Sequence, residues 1–262
     1  MAPEAELLVE DGIGRLCLRR PEARNALTPA LVKAVADELR GPTLAEIRAL
    51  VLWGEGGVFC AGADLDLVRE AVASDDPAAV LGRLLAGVHA LVRALREVPV
   101  PVVAAVEGAA AGAGMGLALA ADLRVLGRSA LFVPAYLAIG ASPDGGVSYH
   151  LARSLGGPRA AAALLRNRRL PAAELAACGL ADDVVDDGTA LDAALRLARE
   201  VATVAPLALA ATRRLLDAAP AHGLDAHLEA EAAEISRLWR TADFAEGVAA
   251  FLERRRPVFQ GR

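Results

Sequence analysis

Aromatic residues are scarce. Two tryptophans, two tyrosines and five phenylalanines make up 3% of a 262-residue chain. That is too few rings to build stacking platforms along single-stranded nucleic acid. A formal net charge of −5 also argues against a phosphate backbone as the main partner. Cysteine is nearly absent: Cys17, Cys60 and Cys178 stand far apart with no CxxC. An odd count of that kind suits no disulfide framework and reads as three reduced thiols. The four histidines, His89, His150, His222 and His227, show no metal-ligand spacing, so no metal is expected; His222 and His227 read as solvated. No GxSxG elbow and no GxxxxGK[ST] loop occurs. The run Gly112-Ala113-Gly114-Met115-Gly116-Leu117 comes close to GxGxxG but ends on leucine, which makes a dinucleotide site a poor reading. The N-terminus lacks a basic head followed by an apolar run, so no signal peptide is expected. The longest apolar stretch, 98–121, is broken by Pro99, Pro101, Glu107 and several glycines. It reads as a buried strand plus a buried helix rather than a membrane span. The expectation is a soluble, cytoplasmic protein with neither membrane nor nucleic acid as partner.

What is present is apolar mass. Hydrophobic residues make up 55% of the chain and charged residues 23%, which excludes a disordered chain. A chain of this length buries about 75% of its unfolded surface and needs no staples. Asp11-Gly12 between two apolar runs signals a hairpin. Thr28-Pro29 signals a helix start, and a helix is predicted over 29–40. Further helices are predicted over 65–73, 78–97 and 115–121, and strands over 49–53, 58–64, 99–106, 122–126 and 130–133. Beyond about residue 140 the pattern is almost wholly helical, with one short strand at 182–185. Strands alternating with helices, then helices alone, predict a layered α/β core with a helical C-terminal part.

Two predicted strand-to-helix loops, 59–65 and 108–114, are built of small residues. Small side chains let a ligand approach backbone N–H groups, and a helix starting just after each loop leaves its first N–H groups free. Two such groups converging on one oxygen would make an oxyanion hole. Tight packing of helix on sheet would equally account for the glycines. A third loop, Ser142-Pro143-Asp144-Gly145-Gly146, carries a carboxylate in good turn chemistry. There Asp144 reads either as a cap of the next helix or as an acid/base.

Five segments bear on function together. They are Arg20-Pro21 with Asn25-Ala26-Leu27, the stretch from Phe59 to Leu65, the stretch from Ala105 to Asp122, Gly140 to Gly146, and Glu246-Gly247 through Phe251-Leu252-Glu253 to Pro257. In that order the chain resembles the crotonase (enoyl-CoA hydratase/isomerase) superfamily along nearly its whole length. The resemblance implies an α/β fold: a crotonase-type repeated β-β-α spiral core over 1–195 and a helical C-terminal trimerisation region over 196–262. It implies an acyl-CoA thioester as partner, with coenzyme A entering as part of the substrate and no prosthetic group, and a homotrimer or hexamer. By position it places the oxyanion N–H donors on Ala63 and Ala113. Coenzyme A contacts fall on Arg24, Ala61, Ala63, Asp64 and Leu65, with Arg254 reaching the phosphates across a subunit boundary. Without the resemblance, Asp64 reads as a loop-fixing residue and Arg254 as a solvated helix end.

The acid/base residues choose the reaction. Hydratases of the family use two glutamates, and the matching positions here hold Gly116 and Tyr136. Glycine has no side chain, and a phenol is a poor base at neutral pH. Asp144 matches the single carboxylate of the double-bond isomerases. The resemblance therefore implies an enoyl-CoA isomerase working through an oxyanion-stabilised enolate, with Tyr136 as a packing residue of the substrate pocket. Enoyl-CoA hydratase, a non-catalytic acyl-CoA-binding protein, and an aromatic acyl-CoA dehalogenase or naphthoate-synthase-like enzyme stand as alternatives.

Overall fold

The computed structural model describes residues 3–262. Two strands, β1 (Ala5–Glu10) and β2 (Ile13–Leu18), form the expected antiparallel hairpin around Asp11 and Gly12. Parallel to β2 run β3 (Ala49–Gly54), β4 (Val102–Val106), β6 (Leu123–Gly127) and β9 (Asp183–Val185), giving a six-stranded sheet in the order β1-β2-β3-β4-β6-β9. A smaller sheet, in the order β5-β7-β8, holds β5 (Ala109–Ala111), β7 (Leu131–Val133) and β8 (Leu170–Pro171).

The chain steps from the large sheet to the small one and then into a helix, and it does so repeatedly. β4 leads to β5 and helix α4 (Ala113–Ala120). β6 leads to β7 and, after a loop, helix α5 (Val147–Leu155). β3 leads to an extended stretch at 59–61 and then to α2 (Leu65–Val72) and α3 (Pro77–Glu97). This is the β-β-α spiral that the sequence implied. Two local expectations differ. The predicted strand at 58–64 is reduced to isolated parallel bridges, Cys60 to Ala110 and Leu27 to Ala63, because Gly62 turns into a left-handed conformation in its middle. Conversely, the predicted loop at 108–114 contains β5, and α4 starts at Ala113 instead of Met115.

Alternation along the central strands divides the interior. Leu50 and Leu52 of β3, with Val102, Ala104 and Val106 of β4, face a large core shared with α3, α4 and α1 (Pro29–Glu38). Ala49, Val51, Val103 and Ala105 face the other way, onto α8 (Ala190–Val201). A strand buried on both faces reads as an unbroken apolar run, which explains 102–106. Helix α8 meets the sheet through Ala190, Ala193, Ala194 and Ala198, small enough for close approach. Glu107, one residue past β4, accepts hydrogen bonds from the N–H groups of Gly188 and Ala190, each at 2.9 Å, and so caps α8. By length and composition alone α3, not 98–121, is the helix able to cross a membrane. In the fold its Leu84, Val88, Leu91 and Leu95 are buried.

The chain ends in α9 (Pro206–Ala218), α10 (Leu224–Leu238) and α11 (Ala242–Glu253). Helix α9 is tied to the core through Arg213, which pairs with Asp122 at 2.9 Å and donates to the Val100 carbonyl at 2.8 Å.

One buried polar side chain organises the approach to the small-residue loops. Asn25 is fully buried, and its Nδ2 donates to the carbonyls of Glu55 at 2.9 Å and Val58 at 2.7 Å. Its Oδ1 accepts from the Arg20 N–H at 2.8 Å. Asparagine also tolerates the left-handed backbone found here, with φ 54°. Asn25→Ala would strand three part-buried backbone groups, each worth about 1–3 kcal/mol. We expect chemical denaturation to register a loss of about 3 kcal/mol or more; a loss under about 1 kcal/mol would contradict this account.

Candidate active site

Two N–H groups lie free at the start of the site. Leu27 donates to the Gly62 carbonyl at 2.7 Å and accepts from Asp64 at 3.1 Å, so the pairing skips the N–H of Ala63. Ala113 opens α4, where an N–H precedes the helix's own bonds. Neither N–H has a hydrogen-bond acceptor among the described residues. Glycine brings the two loops together. Gly62 has φ 88°, and a Cβ there would lie 2.7 Å from the Ala111 carbonyl oxygen and 3.6 Å from the Ala113 nitrogen. Gly112 has φ 49°, and a Cβ there would lie 4.0 Å from the Gly62 Cα. Both positions have a positive φ that glycine adopts without strain, and at Gly62 there is also no room for a side chain.

Ala63 and Ala113 line one cavity of about 550 Å³. Its walls are mostly apolar: Leu81, Leu84, Leu85 and Val88 of α3 on one side, Ile139, Ala141 and Pro143 on the other, with His89 and Ser142 as polar neighbours. Asp144 lines it too, and no second carboxylate does. Asp144 is half-buried, and its Oδ1 accepts from the Tyr136 hydroxyl at 2.8 Å. This settles the two readings of the turn in one respect. The Asp144 side chain does not cap α5, whose N-cap is Gly146; only its main-chain carbonyl takes part, accepting from Val147 at 3.0 Å.

Tyr136 is not a packing residue alone. It is buried beneath Asp144, and burial first, then the Asp144 charge and hydrogen bond, push its pKa upward, so it acts as a neutral donor. The other hydratase position is closed altogether. A Cβ on Gly116 would lie 2.4 Å from the Gly145 carbonyl oxygen. Helix α4 therefore packs backbone to backbone against the loop that carries Asp144. One cavity residue escaped the sequence reading. His89, set aside there for lacking metal spacing, lies on the α3 wall. Only the helical register of Leu81, Leu85, Val88 and His89 could have signalled it.

Of the implied coenzyme A positions, Ala63 lines this cavity, while Arg24, Ala61, Asp64, Leu65 and Arg254 lie outside its lining. The Ala61 N–H donates to the Arg24 carbonyl at 3.0 Å, while the Arg24 and Leu65 side chains are exposed. Asp64 fixes the loop, as its residue type suggested. It caps α2 through the N–H groups of Asp66 and Leu67 and pairs with Arg20 at 3.0 Å. Burial works to raise its pKa, but Arg20 and the two N–H groups outweigh that and hold the carboxyl below its usual range. Arg254 is the left-handed C-cap of α11, away from the cavity. Its neighbour Arg255 clasps Glu246 at 2.6 Å. That pairing, with the Val258 N–H, holds the Glu246 carboxyl down to about 2.

A spiral α/β core that aims two free N–H groups and one carboxylate into an apolar cavity has the layout of an enzyme acting on a polarised carbonyl. The enoyl-CoA hydratase/isomerase family profile matches residues 9–262. A 1,2-epoxyphenylacetyl-CoA isomerase of Escherichia coli is 38% identical over 256 residues, covering 97% of each chain. A 2,3-dehydroadipyl-CoA hydratase of the same organism is 36% identical, covering 94% of each. The crystal structure of an enoyl-CoA hydratase from Polaromonas sp. JS666 superposes with a TM-score of 0.93 at 38% identity, covering 98% of this chain and 99% of that one. The chain belongs to the enoyl-CoA hydratase/isomerase family, within the crotonase superfamily, and is an enzyme of that family.

The contact at Gly116 can be tested directly. Gly116→Ala forces a methyl against the Gly145 backbone, and overpacking of this kind costs about 1–3 kcal/mol. We expect a stability loss of that size by denaturation, together with slower turnover as the Asp144 loop shifts. A variant as stable and as active as the parent would show the contact to be slack.

Proposed function

We propose that the protein is an enoyl-CoA double-bond isomerase with Asp144 as its single acid/base. The observation that carries this reading is the grouping of two free N–H groups and one carboxylate on one cavity, with no room at position 116 for a second. A 3-enoyl thioester would place its carbonyl oxygen between the Ala63 and Ala113 N–H groups. Asp144 takes the proton from C2, and the C–H electron pair moves into a dienolate whose negative charge the two N–H groups hold. The carboxylic acid so formed returns its proton at C4, giving the conjugated 2-enoyl thioester. Atoms and charge balance without a co-reactant. One donor of such a hole is typically worth about 3–4 kcal/mol.

Hydration is the less supported reading, since it needs a second carboxylate to handle water. The isomerase named among the relatives agrees with a one-carboxylate site, while the hydratase named beside it has no such support in this cavity. Coenzyme A is expected to run along Arg24, Ala61, Asp64 and Leu65, and no prosthetic group is needed. Assembly is part of the same reading. Helices α9, α10 and α11 and the C-terminal tail leave an apolar groove of about 540 Å³ lined by Ile235, Phe244, Val248, Phe251 and Phe259. Phe251 is 84% exposed in a single chain. Second copies covering this face, in a homotrimer or hexamer, would bury it and bring Arg254 to a neighbouring site.

Two measurements test these statements. Light scattering should return the mass of three or six copies of a 27.0 kDa chain; a monomer would remove both the assembly and the role of Arg254. Asp144→Asn keeps the size but cannot accept a proton, so isomerisation and exchange of α protons into deuterated water should fall about 10²–10⁴-fold. Affinity for the thioester should stay within a few-fold. Unchanged exchange would show that Asp144 is only a turn residue, and a parent enzyme with no exchange on any acyl-CoA would favour a binding protein.

A further inference from the structure

Tyr136 touches both halves of the site. Its hydroxyl reaches Asp144 Oδ1 at 2.8 Å, and its ring edge borders the space beside Gly112, where an added Cβ would be 3.9 Å from the Tyr136 Cε1. Gly112 is the residue before the donor Ala113. The side chain is only 6% exposed, so it has little freedom to swing away. The backbone around it is arranged to hold it there. Ala135 adopts φ 64°, a conformation uncommon for a residue other than glycine. The Tyr136 carbonyl then accepts from both Ile139 and Ala141 at 3.0 Å, closing the turn on itself.

We propose that Tyr136 is a positioning residue that locks the base and one oxyanion donor to each other, binding Asp144 Oδ1 so that Oδ2 is the oxygen that takes and returns the substrate proton. This rests on the isomerase reading and adds to it the device that sets the angle of proton transfer. A carboxylate with both oxygens free rotates about its terminal torsion, which is broad and roughly two-fold. A neutral phenol donating to one oxygen is a charge-assisted hydrogen bond and removes that freedom. A donor of this kind binds a carboxylate more tightly than a carboxylic acid, and a pH profile reads that difference when the donor is removed.

Few other groups face the base. Helix α4 carries no titratable side chain, and α3 brings His89 to the cavity wall. Helix α5 brings Tyr149, His150 and Arg153. Burial, then Arg96, Arg124 and Arg153, holds His150 down to about 4, so it stays neutral near pH 7. All of these are unchanged when Tyr136 alone is altered, so a difference in pH profile belongs to the phenol.

The experiment compares pH profiles of α-proton exchange and isomerisation for the parent, Tyr136→Phe and Tyr136→Leu. Phenylalanine keeps the ring beside Gly112 and loses the donor. Its kcat should fall about tenfold near pH 7 with KM within a few-fold, and the acidic fall-off of activity should move to higher pH. Leucine also loses the ring, so its kcat should fall at least a further several-fold. A purely structural role would lower stability without moving the acidic limb. Replacing both tyrosines of the chain by 3-fluorotyrosine needs no change of packing and makes the phenol a stronger donor; the limb should then move to lower pH. A Phe variant with the parental limb and kcat, or a fluorinated enzyme with an unmoved limb, would overturn the positioning role while leaving the isomerase reading intact. A parent without exchange would overturn both.

Discussion

Two stretches of backbone meet at Gly62 and Gly112 with no side chain between them, and the placement of everything else in the site follows from that contact. Because Gly62 lies against the Ala111 carbonyl and near the Ala113 nitrogen, the residues that follow each glycine present their N–H groups to the same cavity. The oxyanion hole proposed for this pair would work only if its donors are fixed before charge develops. The fixing comes from further away. Asn25 clamps the exit of β3 at Glu55 and Val58, and the Cys60 thiol donates to the Asn25 carbonyl at 3.1 Å. Cys60 in turn packs on Gly114, where even a methyl would meet its carbonyl oxygen at 2.5 Å. The donors therefore sit on a stack of backbone held by one buried amide.

Several residues that carry the family resemblance turn out to be scaffold. Glu107 caps α8 and so fastens the rear layer to the end of β4. Asp122 accepts from the Val102 N–H at 2.8 Å while pairing with Arg96 at 2.8 Å and Arg213 at 2.9 Å, which joins β4, α3 and α9. On the proposed reading, chemistry is left to few groups: two main-chain N–H groups, whose side-chain identity hardly matters, and one carboxylate.

The sequence made the layered core, its helices and the family legible, because those depend on caps and apolar period. Thr28-Pro29 marks the start of α1 within a residue. Strand β5 was not legible, since Ala109, Ala110 and Ala111 have no strand preference of their own and are extended only because β7 and Cys60 lie alongside. Ala63, Ala113 and Asp144 could be named from the resemblance, but not that the two N–H groups lack acceptors, which depends on the register between Leu27 and Gly62. The Tyr136–Asp144 bond was hidden for another reason. It spans eight residues across the left-handed Gly140 and a tight turn, and no periodicity signals such a contact.

The packing of Gly116 against Gly145 also bears on how such a site can change over generations. A second carboxylate on α4 would collide with the loop that holds the first, so acquiring it requires the loop to be rebuilt at the same time. Either change alone gives a protein with a displaced base or an empty gap beneath the cavity. Interconversion between one-carboxylate and two-carboxylate chemistry on this backbone is thus a two-step path with a poor intermediate. On the proposed reading, sterics at Gly116 alone hold this backbone to one carboxylate.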